Sequence, residues 1–491
     1  TSQSPNIILF FVDDMGWQDT SVPFWSQPTK FNKIYKTPNM ERLAKKGIKF
    51  TNAYATPVCS PTRVSLMTGI NAARHRVTNW TLRPDQKQPM ELNHPTLEFP
   101  DWNYNGIGLD SSTPNSVYAK PLPQLLSENG YHTIHAGKAH FGAIGYPSSN
   151  PLNLGFDINI AGHAAGRPES YLGIENFGNG EAGKEVWAVP GLEKYHGKDI
   201  FLTEALTQEV INALDKPVKN KSPFFLYFAL YGIHTPLMAD ERFVKSYYEM
   251  GIDETEVRYA SMVESMDMAL GNVLNYLEVN QLDDNTIILF MSDNGGLSAH
   301  ARGGEKHTHN YPLKSGKGSI YEGGIRVPML AYWPNITQAE TINSTPLIIE
   351  DFFPSILEMA QIDTNDFPQT IDGQSFVPLL QNNTESQTNR PLFWHYPNEW
   401  GSEGPGIGSY SAVRQGDWKL IYFHTNKTLE LYNLKKDIQE NQNLLSSDYE
   451  KAKQLATKLT QHLINVNAQM PSDKLSKEII PYPSTLGYFK E

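Results

Sequence analysis

Four side chains that can bind a metal ion occur in two short segments far apart in the chain. Asp13 and Asp14 form one segment, and Asp293 and Asn294 form the other. All four offer oxygen ligands, which hard cations prefer, and a set without His or Cys disfavours zinc. A single Asp in such a position is typical of a helix cap or a turn. Four oxygen-bearing side chains, at the ends of two similar apolar runs, instead predict a metal site.

The chain contains one cysteine, Cys59, in the segment Cys59-Ser60-Pro61-Thr62-Arg63. A single cysteine excludes an internal disulfide framework and a thiolate metal cluster. Taken alone, a lone cysteine is typical of a small buried hydrophobic residue. The chemistry of Cys59 therefore has to be inferred from the residues around it.

The Cys59 segment, followed by Thr68-Gly69, resembles the signature of the type I sulfatases of the alkaline-phosphatase superfamily. The other motifs of that family occur in the same order, and they are Asp13-Asp14, Gly137-Lys138-Ala139-His140, His234-Thr235-Pro236, Asp293-Asn294-Gly295-Gly296 and Gly316-Lys317-Gly318 running into Tyr321 to Pro328. Near the C-terminus, Ala412-Val413-Arg414, Trp418-Lys419-Leu420 and Leu431-Tyr432-Asn433-Leu434 resemble the C-terminal subdomain of the family. The resemblance covers nearly the whole chain.

This resemblance implies that a formylglycine-generating enzyme oxidises Cys59 to formylglycine during maturation. It implies a Ca²⁺ ion, with Mg²⁺ as the rival, held by Asp13, Asp14, Asp293, Asn294 and the modified residue 59. The hydrated aldehyde would attack the sulfur of a sulfate ester, assisted by the metal and by Asp293.

The same resemblance implies roles for five further side chains. Lys138 and Lys317 would hold the sulfate oxygens, and Arg63 would secure the hydrated aldehyde. A sugar alkoxide leaves poorly, so an acid must protonate it, and His234 is the candidate. His140 would take a proton from the second hydroxyl of residue 59 and so release the sulfate.

The apolar runs predict the elements that position these residues. Ile7 to Val12 and Ile287 to Met291 are continuous rather than alternating, as expected for parallel strands covered on both faces. Ligands of open α/β sheets gather outside the carboxyl ends of the strands, so both metal-binding segments are expected at one site. Two more strands are predicted, for Tyr131 to Ala136 and Phe224 to Tyr231.

Helical segments alternate with these strands. Thr37 to Gly47 combines an N-cap Thr, a first-turn Pro and a C-terminal Gly. Three more helices are predicted, for Pro123 to Gly130, Thr203 to Leu214 and Thr255 to Val279. The predicted fold class is α/β, with a large doubly wound mixed sheet sandwiched by helices.

The character of the chain changes after the polar stretch from Gln381 to Asn389, which we interpret as a connector. Short strand-like runs follow, at Leu392 to Tyr396, Ser411 to Val413 and Trp418 to Phe423, and a helix is predicted from Tyr449 to Val466. We therefore expect a catalytic domain of residues 1–385 and a C-terminal subdomain of residues 386–491, with an antiparallel sheet and one helix.

Composition excludes several classes of partner. The formal net charge of the 491-residue chain is −12, which argues against nucleic-acid binding, and the apolar runs are too short for a membrane span. An anionic substrate must then meet a local concentration of Lys and Arg. Residue 1 is Thr rather than Met, so we expect that the chain has been processed or trimmed. We also expect an exported protein, either periplasmic or extracellular.

The motifs do not specify the substrate. The resemblance to bacterial polysaccharide sulfatases predicts a sulfated carbohydrate, and ulvan or another marine algal glycan is the specific hypothesis. Candidate substrate-binding residues are His163, Arg167, His300 and Arg302. His300 and Arg302 belong to a His-rich loop beside Asp293-Asn294 that could face substrate or solvent.

Three alternatives remain open at this stage. A phosphonate or phosphodiester hydrolase of the same superfamily can share the nucleophile motif. A two-zinc alkaline phosphatase needs additional His ligands that no motif here supplies. A catalytically inactive glycan-binding protein is the alternative from another class.

Overall fold

The run that follows Pro5 forms a central strand of a nine-stranded sheet in the computed structural model, which describes residues 3–363, 366–382 and 389–490. The strands of this sheet, in chain order, are β1 (Asn6–Val12), β2 (Ile48–Tyr54), β3 (His132–Gly137), β4 (Ile158–Ile160), β5 (Phe224–Ala229), β6 (Thr286–Ser292), β7 (Arg326–Tyr332), β8 (Thr341–Asn343) and β9 (Leu347–Ile348).

The spatial order is β8-β2-β7-β6-β1-β5-β3-β4, and β9 also pairs with β2. β7 pairs antiparallel with both of its neighbours, whereas the other pairings are parallel, so the sheet is mixed as predicted. The four neighbouring strands β6, β1, β5 and β3 all run in one direction. Their carboxyl ends therefore open onto the same edge of the sheet.

Alternate residues of β1 enter two separate cores, which explains why its apolar run is continuous. Ile7, Leu9 and Phe11 belong to one core, and Ile8 and Phe10 belong to the other. Helices cover both faces. The predicted doubly wound α/β class is thus confirmed.

The α-helices include one at each predicted helical segment, with ends that differ by a few residues, and there are others between them. In chain order they are α1 (Lys30–Ile34), α2 (Pro38–Lys46), α3 (Cys59–Thr68), α4 (Ala72–His75), α5 (Leu122–Glu128), α6 (Leu202–Lys219), α7 (Val244–Glu249), α8 (Glu254–Val279), α9 (Glu322–Ile325), α10 (Phe352–Met359), α11 (Val377–Asn382) and α12 (Tyr449–Asn465). α6 continues five residues beyond the predicted end and includes Pro217 near its C-terminus. No helix of the described residues is both long and apolar enough to cross a membrane.

A second, four-stranded antiparallel sheet follows, as predicted. Its strands in order are β10 (Leu392–Tyr396), β11 (Tyr410–Gln415), β12 (Trp418–Phe423) and β13 (Thr428–Asn433). The sequence did not predict β13, because its alternating pattern includes the exposed Thr428 and the half-buried Glu430.

One face of this sheet packs against α12, and the other joins the core of the large sheet. Trp394, Tyr396 and Tyr410 lie in the same apolar cluster as Ile7 and Leu9. The predicted connector from Gln381 to Asn389 is only partly described. Its first two residues end α11, so the polar stretch begins inside a helix, and the 385/386 boundary lies outside the described residues.

Candidate active site

The carboxyl ends of β1 and β6 bring the two predicted metal-binding segments together. The two strands pair in register, with Val12 opposite Ser292, so Asp13 and Asp293 follow side by side. The backbone N–H of Asp14 donates to Oδ1 of Asp293 at 3.0 Å. This convergence is the arrangement that the two apolar runs predicted.

The four predicted metal ligands are fully or almost fully buried, and two of their oxygens are unsatisfied. Oδ1 of Asp13 and Oδ1 of Asn294 have no hydrogen-bond partner among the described residues. The amide nitrogen of Asn294 donates to Oδ1 of Asp14 at 2.9 Å, which turns the amide oxygen away from that carboxylate. Unpartnered buried oxygens are costly, and a hard cation would satisfy them. The donor set therefore fits a divalent cation of the Ca²⁺ or Mg²⁺ type.

Two lysines partly neutralise this carboxylate cluster. Nζ of Lys138 donates to Asp13 at 2.7 Å, and Nζ of Lys317 lies 2.8 Å from Asp14. Burial raises the pKa of Asp13 well above its usual range, and the neighbouring Asp293 raises it further. Although burial opposes the effect, Lys317 holds the pKa of Asp14 below its usual range. A cation bound beside Asp13 would favour the ionised form of this carboxyl group and so oppose the effect of burial on its pKa.

Cys59 is the first residue of α3, and Arg63 lies one turn later on the same face. The guanidinium of Arg63 donates to Oδ2 of Asp293 at 2.9 Å and to the backbone carbonyl of Lys138 at 3.1 Å. It also lies over the ring of Phe11, with 5.1 Å between the guanidinium carbon and the ring centroid. Arg63 therefore connects the helix that carries Cys59 to the carboxyl ends of two strands.

His140 follows β3 in a left-handed backbone conformation, with a φ of 59°. Its Nε2 lies 2.7 Å from the carbonyl oxygen of Thr81, so Nε2 carries the proton that makes this hydrogen bond. Nδ1 is buried without a partner among the described residues. Burial lowers the pKa of His140 well below its usual range. The ring is thus neutral, with a free lone pair on Nδ1 that can accept a proton.

His234 lies beyond the carboxyl end of β5, beside the carboxylate cluster. Its Nδ1 is 2.8 Å from the carbonyl oxygen of Thr235, and its Nε2 is 3.8 Å from Oδ2 of Asp14. Together with Asp13 and Asp14 it forms a group whose candidate ligand atoms all lie within 4.8 Å of one another. Burial first, and then the positive charge of Lys317, lower the pKa of His234 to about 3.

A cavity of about 400 Å³ opens over these groups. Five of the predicted catalytic and metal-binding residues contribute to its wall, namely Asp14, Cys59, His140, His234 and Lys317. Lys138 does not line it, and its side chain is completely buried in an ion pair with Asp13. Of the two lysines, only Lys317 therefore contributes to the cavity wall.

Sequence reasoning missed the aromatic part of this cavity. Trp80, Trp187 and Trp400 line it together with Met90. Trp400 lies in the loop between β10 and β11, so the smaller sheet contributes to the same cavity. Its indole ring is 5.9 Å from Nζ of Lys317. These residues lie in loops without a motif, and only tertiary contacts bring them together.

Two of the four candidate substrate-binding residues line the cavity. They are Arg167 and His300, and Nδ1 of His300 lies 3.2 Å from Oγ of Ser402. The ring of His163 does not line the cavity, and its backbone carbonyl accepts a hydrogen bond from the N–H of His140 at 3.4 Å.

Arg302 lies outside the cavity, so we exclude it from the proposed substrate-binding residues. Its guanidinium is buried and donates to both oxygens of Glu256, at 2.9 and 3.0 Å, and to the hydroxyl of Tyr35 at 2.7 Å. It also stacks on Tyr259 at 3.5 Å. Arg302 instead stabilises the loop that follows β6.

The sequence profile of the Sulfatase family matches residues 5–362, and the chain belongs to this family. A second profile, described as N-sulphoglucosamine sulphohydrolase, C-terminal, matches residues 315–469. The protein is accordingly a sulfuric-ester hydrolase, as the motifs predicted. Sulfatases generally use a metal ion and a formylglycine, and this structure contains a possible metal-binding group formed by Asp13, Asp14 and His234.

Individual relatives agree with this assignment. A protein named Sulfatase from Formosa agariphila is 28% identical, over 98% of this chain and 93% of the relative. Human N-acetylgalactosamine-6-sulfatase is 31% identical, over 80% of this chain and 68% of the relative. The crystal structure of Ps i-CgsB superposes with a TM-score of 0.74 at 28% identity, covering 94% of this chain and 93% of that one, and the same protein has been solved with k-i-k-neocarrahexaose.

Proposed function

We propose that this protein removes sulfate from a sulfated polysaccharide or its oligosaccharides, with residue 59 as the nucleophile. The observation that carries the proposal is the shared cavity, in which Cys59, Lys317, His140 and His234 face one space beside three tryptophans. Tryptophan rings offer flat apolar faces that suit the C–H faces of a sugar ring. Relatives named for a sulfated amino sugar, and one solved with a carrageenan-type oligosaccharide, support the same class of substrate.

Modification of Cys59 to formylglycine is part of the proposal. Burial raises the pKa of the Cys59 thiol above its ordinary value, so an unmodified cysteine would be a poor thiolate nucleophile at neutral pH. The hydrated aldehyde of a formylglycine would supply hydroxyl groups at this position, one to attack and one to lose a proton. Conversion requires a formylglycine-generating enzyme as a partner during maturation.

Asp13, Asp14, Asp293 and Asn294 are proposed to hold a Ca²⁺ ion, with Mg²⁺ as the rival. A cation bound there would stabilise negative charge on the sulfate oxygens and make a nearby hydroxyl more acidic. Two unsatisfied buried oxygens support this ligand set, and Ca²⁺ accepts the irregular geometry of such sites more readily than Mg²⁺.

The cationic side chains are proposed to hold and stabilise the sulfate group. Lys317 lines the cavity and can donate directly to a sulfate oxygen. Lys138 adds its charge from its buried ion pair with Asp13, and Arg63, which is paired with Asp293, is proposed to secure the hydrated aldehyde of residue 59. These charges counter the repulsion that a protein of net charge −12 exerts on an anion.

Two histidines are proposed to move protons. The free lone pair on Nδ1 of His140 suits a base that takes a proton from residue 59. His234 is neutral in the free protein, because its pKa is about 3. An anionic sulfate ester in the cavity would favour the imidazolium form, so we propose that His234 gains its proton when substrate binds and gives it to the leaving oxygen.

The test is turnover of a panel of sulfated oligosaccharides of defined sulfation, including ulvan, carrageenan and glycosaminoglycan fragments. Within this panel, ulvan is the substrate that we specifically predict. Export to the periplasm or the medium is a separate prediction, which fractionation of the source cells would check. Release of sulfate from at least one oligosaccharide is expected. Failure with every sulfated carbohydrate would contradict the proposal.

The same assay separates the alternatives. A phosphodiesterase would hydrolyse a nitrophenyl phosphodiester faster than nitrophenyl sulfate, and we expect the opposite ratio. A glycan-binding protein without activity would bind oligosaccharides but release no sulfate even when residue 59 is fully modified.

A further inference from the structure

Arg167 lies in the cavity wall on a different chain segment from the lysines beside the carboxylate cluster. It belongs to the long connection between β4 and α6, whereas Lys138 follows β3 and Lys317 lies in the loop before α9. The preceding residue, Gly166, is packed so closely on His140 that a Cβ added there would come within 2.4 Å of the imidazole ring. Arg167 is therefore fixed to the wall of the reaction site while its own side chain stays partly exposed.

Arg167 and a neighbouring lysine share a single carboxylate partner, which cannot balance both positive charges. Its Nη1 lies 3.3 Å from Glu169, and Nζ of Lys184 lies 3.2 Å from the other oxygen of that same carboxylate. Two cations thus share one carboxylate, and one of them, Arg167, lines the cavity. In a chain of net charge −12, such a local excess of positive charge favours an anionic ligand.

The guanidinium of Arg167 is also held in a defined plane. It stacks on Trp187 with 4.2 Å between the guanidinium carbon and the ring centroid, and Trp187 is another residue of the cavity wall. Backbone hydrogen bonding joins the two segments, since the N–H of Glu169 donates to the carbonyl of Trp187 at 2.8 Å. A stacked, planar guanidinium can form two parallel hydrogen bonds to a carboxylate or a sulfate.

We propose that Arg167, supported by Trp187 and Lys184, binds a second anionic group of the substrate, so that the enzyme prefers saccharides with a carboxylate or another sulfate beside the ester that is cleaved. The proposal rests on the sulfatase function and adds the class of sugar to it. The reacting sulfate already has Lys317, which leaves Arg167 available for a different group.

The experiment compares three disaccharides that share the same sulfated sugar. The neighbouring sugar is an uncharged hexose, a uronate or a hexose sulfate, so the last two distinguish a carboxylate from a sulfate. kcat and KM are measured for the wild type, for Arg167→Gln and for Arg167→Lys, which keeps the charge but loses the planar group. Arg42→Gln, which removes a surface ion pair with Glu278 outside the cavity lining, is the matched control.

We expect the wild type to prefer at least one of the doubly anionic disaccharides. Arg167→Gln should reduce that preference by about 10- to 100-fold, mainly through KM, as the loss of a hydrogen bond to a charged group predicts. Arg167→Lys should lose less, and Arg42→Gln should keep the wild-type preference. Equal kcat/KM for all three disaccharides in the wild type, or an equal loss on all three in Arg167→Gln, would overturn the proposal.

Calorimetric binding of the same disaccharides gives a second readout that does not require turnover. If the wild type fails to hydrolyse nitrophenyl sulfate and every sugar sulfate, the sulfatase function fails. The Arg167 site then still stands if Arg167→Gln weakens binding of the doubly anionic disaccharides alone, and it falls if binding is unchanged. Thermal unfolding of each variant confirms that it is folded.

Discussion

Cys59 is buried at the first turn of α3 and faces the same cavity as His140, His234 and Lys317. If it is the precursor of the nucleophile, peptide mass spectrometry of active protein should show an aldehyde at residue 59 in place of the thiol. Cys59→Ala should abolish sulfate release while thermal unfolding stays cooperative. Full activity of Cys59→Ala would contradict the mechanism. Protein from a host without the modifying enzyme should retain the thiol and show little activity.

The carboxylate cluster predicts a dependence on divalent cations. Chelation should abolish sulfate release, and Ca²⁺ should restore it more fully than Mg²⁺. Asp14→Ala and Asp293→Ala should lower activity by at least about 10²-fold and resist rescue, because loss of a metal ligand costs no less than loss of its supporting contacts. Asp110→Ala, on an exposed loop, is the matched control. Stoichiometric zinc in the active enzyme would contradict the ligand assignment.

The role of His234 can be tested through the leaving group. A sugar alkoxide needs a proton to leave, whereas nitrophenolate leaves unaided. His234→Ala should therefore lower kcat/KM on a sugar sulfate by about 10²- to 10⁴-fold and on nitrophenyl sulfate much less.

Lys138→Ala serves as the control for His234→Ala, since loss of a cation that stabilises sulfate should affect both substrates alike. Equal losses on both substrates for His234→Ala would show that it positions sulfate or nucleophile. Lys317, which stays protonated because Asp14 raises its pKa even against the effect of burial, would then be the next candidate for the acid.

At the scale of elements, the sharp turns after the strands decide where the reactive side chains point. Asp14 after β1 and His140 after β3 both have left-handed backbone conformations, with φ values of 60° and 59°. Such conformations are uncommon for residues other than glycine and persist where surrounding contacts enforce them. The backbone conformation of these turns therefore helps to place the side chains of Asp14 and His140 in the site.

The close contact of Gly166 with His140 gives an element-scale prediction. A methyl group in Gly166→Ala would meet the imidazole 2.4 Å away and displace it from the carbonyl of Thr81. We expect kcat to fall by about 10²-fold, the scale of a lost proton transfer, with a modest loss of stability of about 1–3 kcal/mol. Gly487→Ala, where an added Cβ meets nothing within 4 Å, should keep wild-type activity. Unchanged kcat in Gly166→Ala would show that the ring of His140 can move without cost.

At the scale of the whole molecule, a buried charge cluster joins the smaller sheet to the loop that carries Lys317. Nζ of Lys419, on β12, donates to Glu322 and Glu440 at 2.9 Å each and to the backbone carbonyl of Ile320 at 2.7 Å. Lys419 is completely buried. The smaller sheet thus supports the active site as well as supplying Trp400 to its wall.

Removing Lys419 should leave the buried Glu440 without its cation and Glu322 with only its longer ion pairs to Arg326 and Arg414, at 3.4 and 3.9 Å. Lys419→Ala is expected to destabilise the protein by about 3–5 kcal/mol, as measured by chemical denaturation, because unpaired buried charge is costly. Lys477→Ala removes a surface ion pair with Glu98 and should change stability little. Equal stability of the two variants would mean that water or repacking replaces the buried amine.

The sequence by itself determined the family and the doubly wound sheet, and it supplied the proposals for the nucleophile and the metal ligands. These inferences depend on local sequence, because the residues of a motif are close together in the chain and an apolar run reveals its element through its periodicity. The sequence also predicted that Asp13-Asp14 would meet Asp293-Asn294, because parallel strands share one carboxyl edge. It did not reveal that Lys138 forms a buried ion pair with Asp13, or that Arg302 is paired with Glu256.

Only the tertiary structure decided what surrounds the reaction site. Trp80, Trp187 and Trp400 come from three distant loops, and no periodicity or spacing links them. Arg167 and Arg302 are indistinguishable as residue types, yet one lines the cavity and the other is enclosed by Glu256 and two tyrosines. Loop positions depend on long-range packing rather than on local backbone preference. For this reason the sulfatase class could be predicted from the sequence, while most of the wall of the cavity could not.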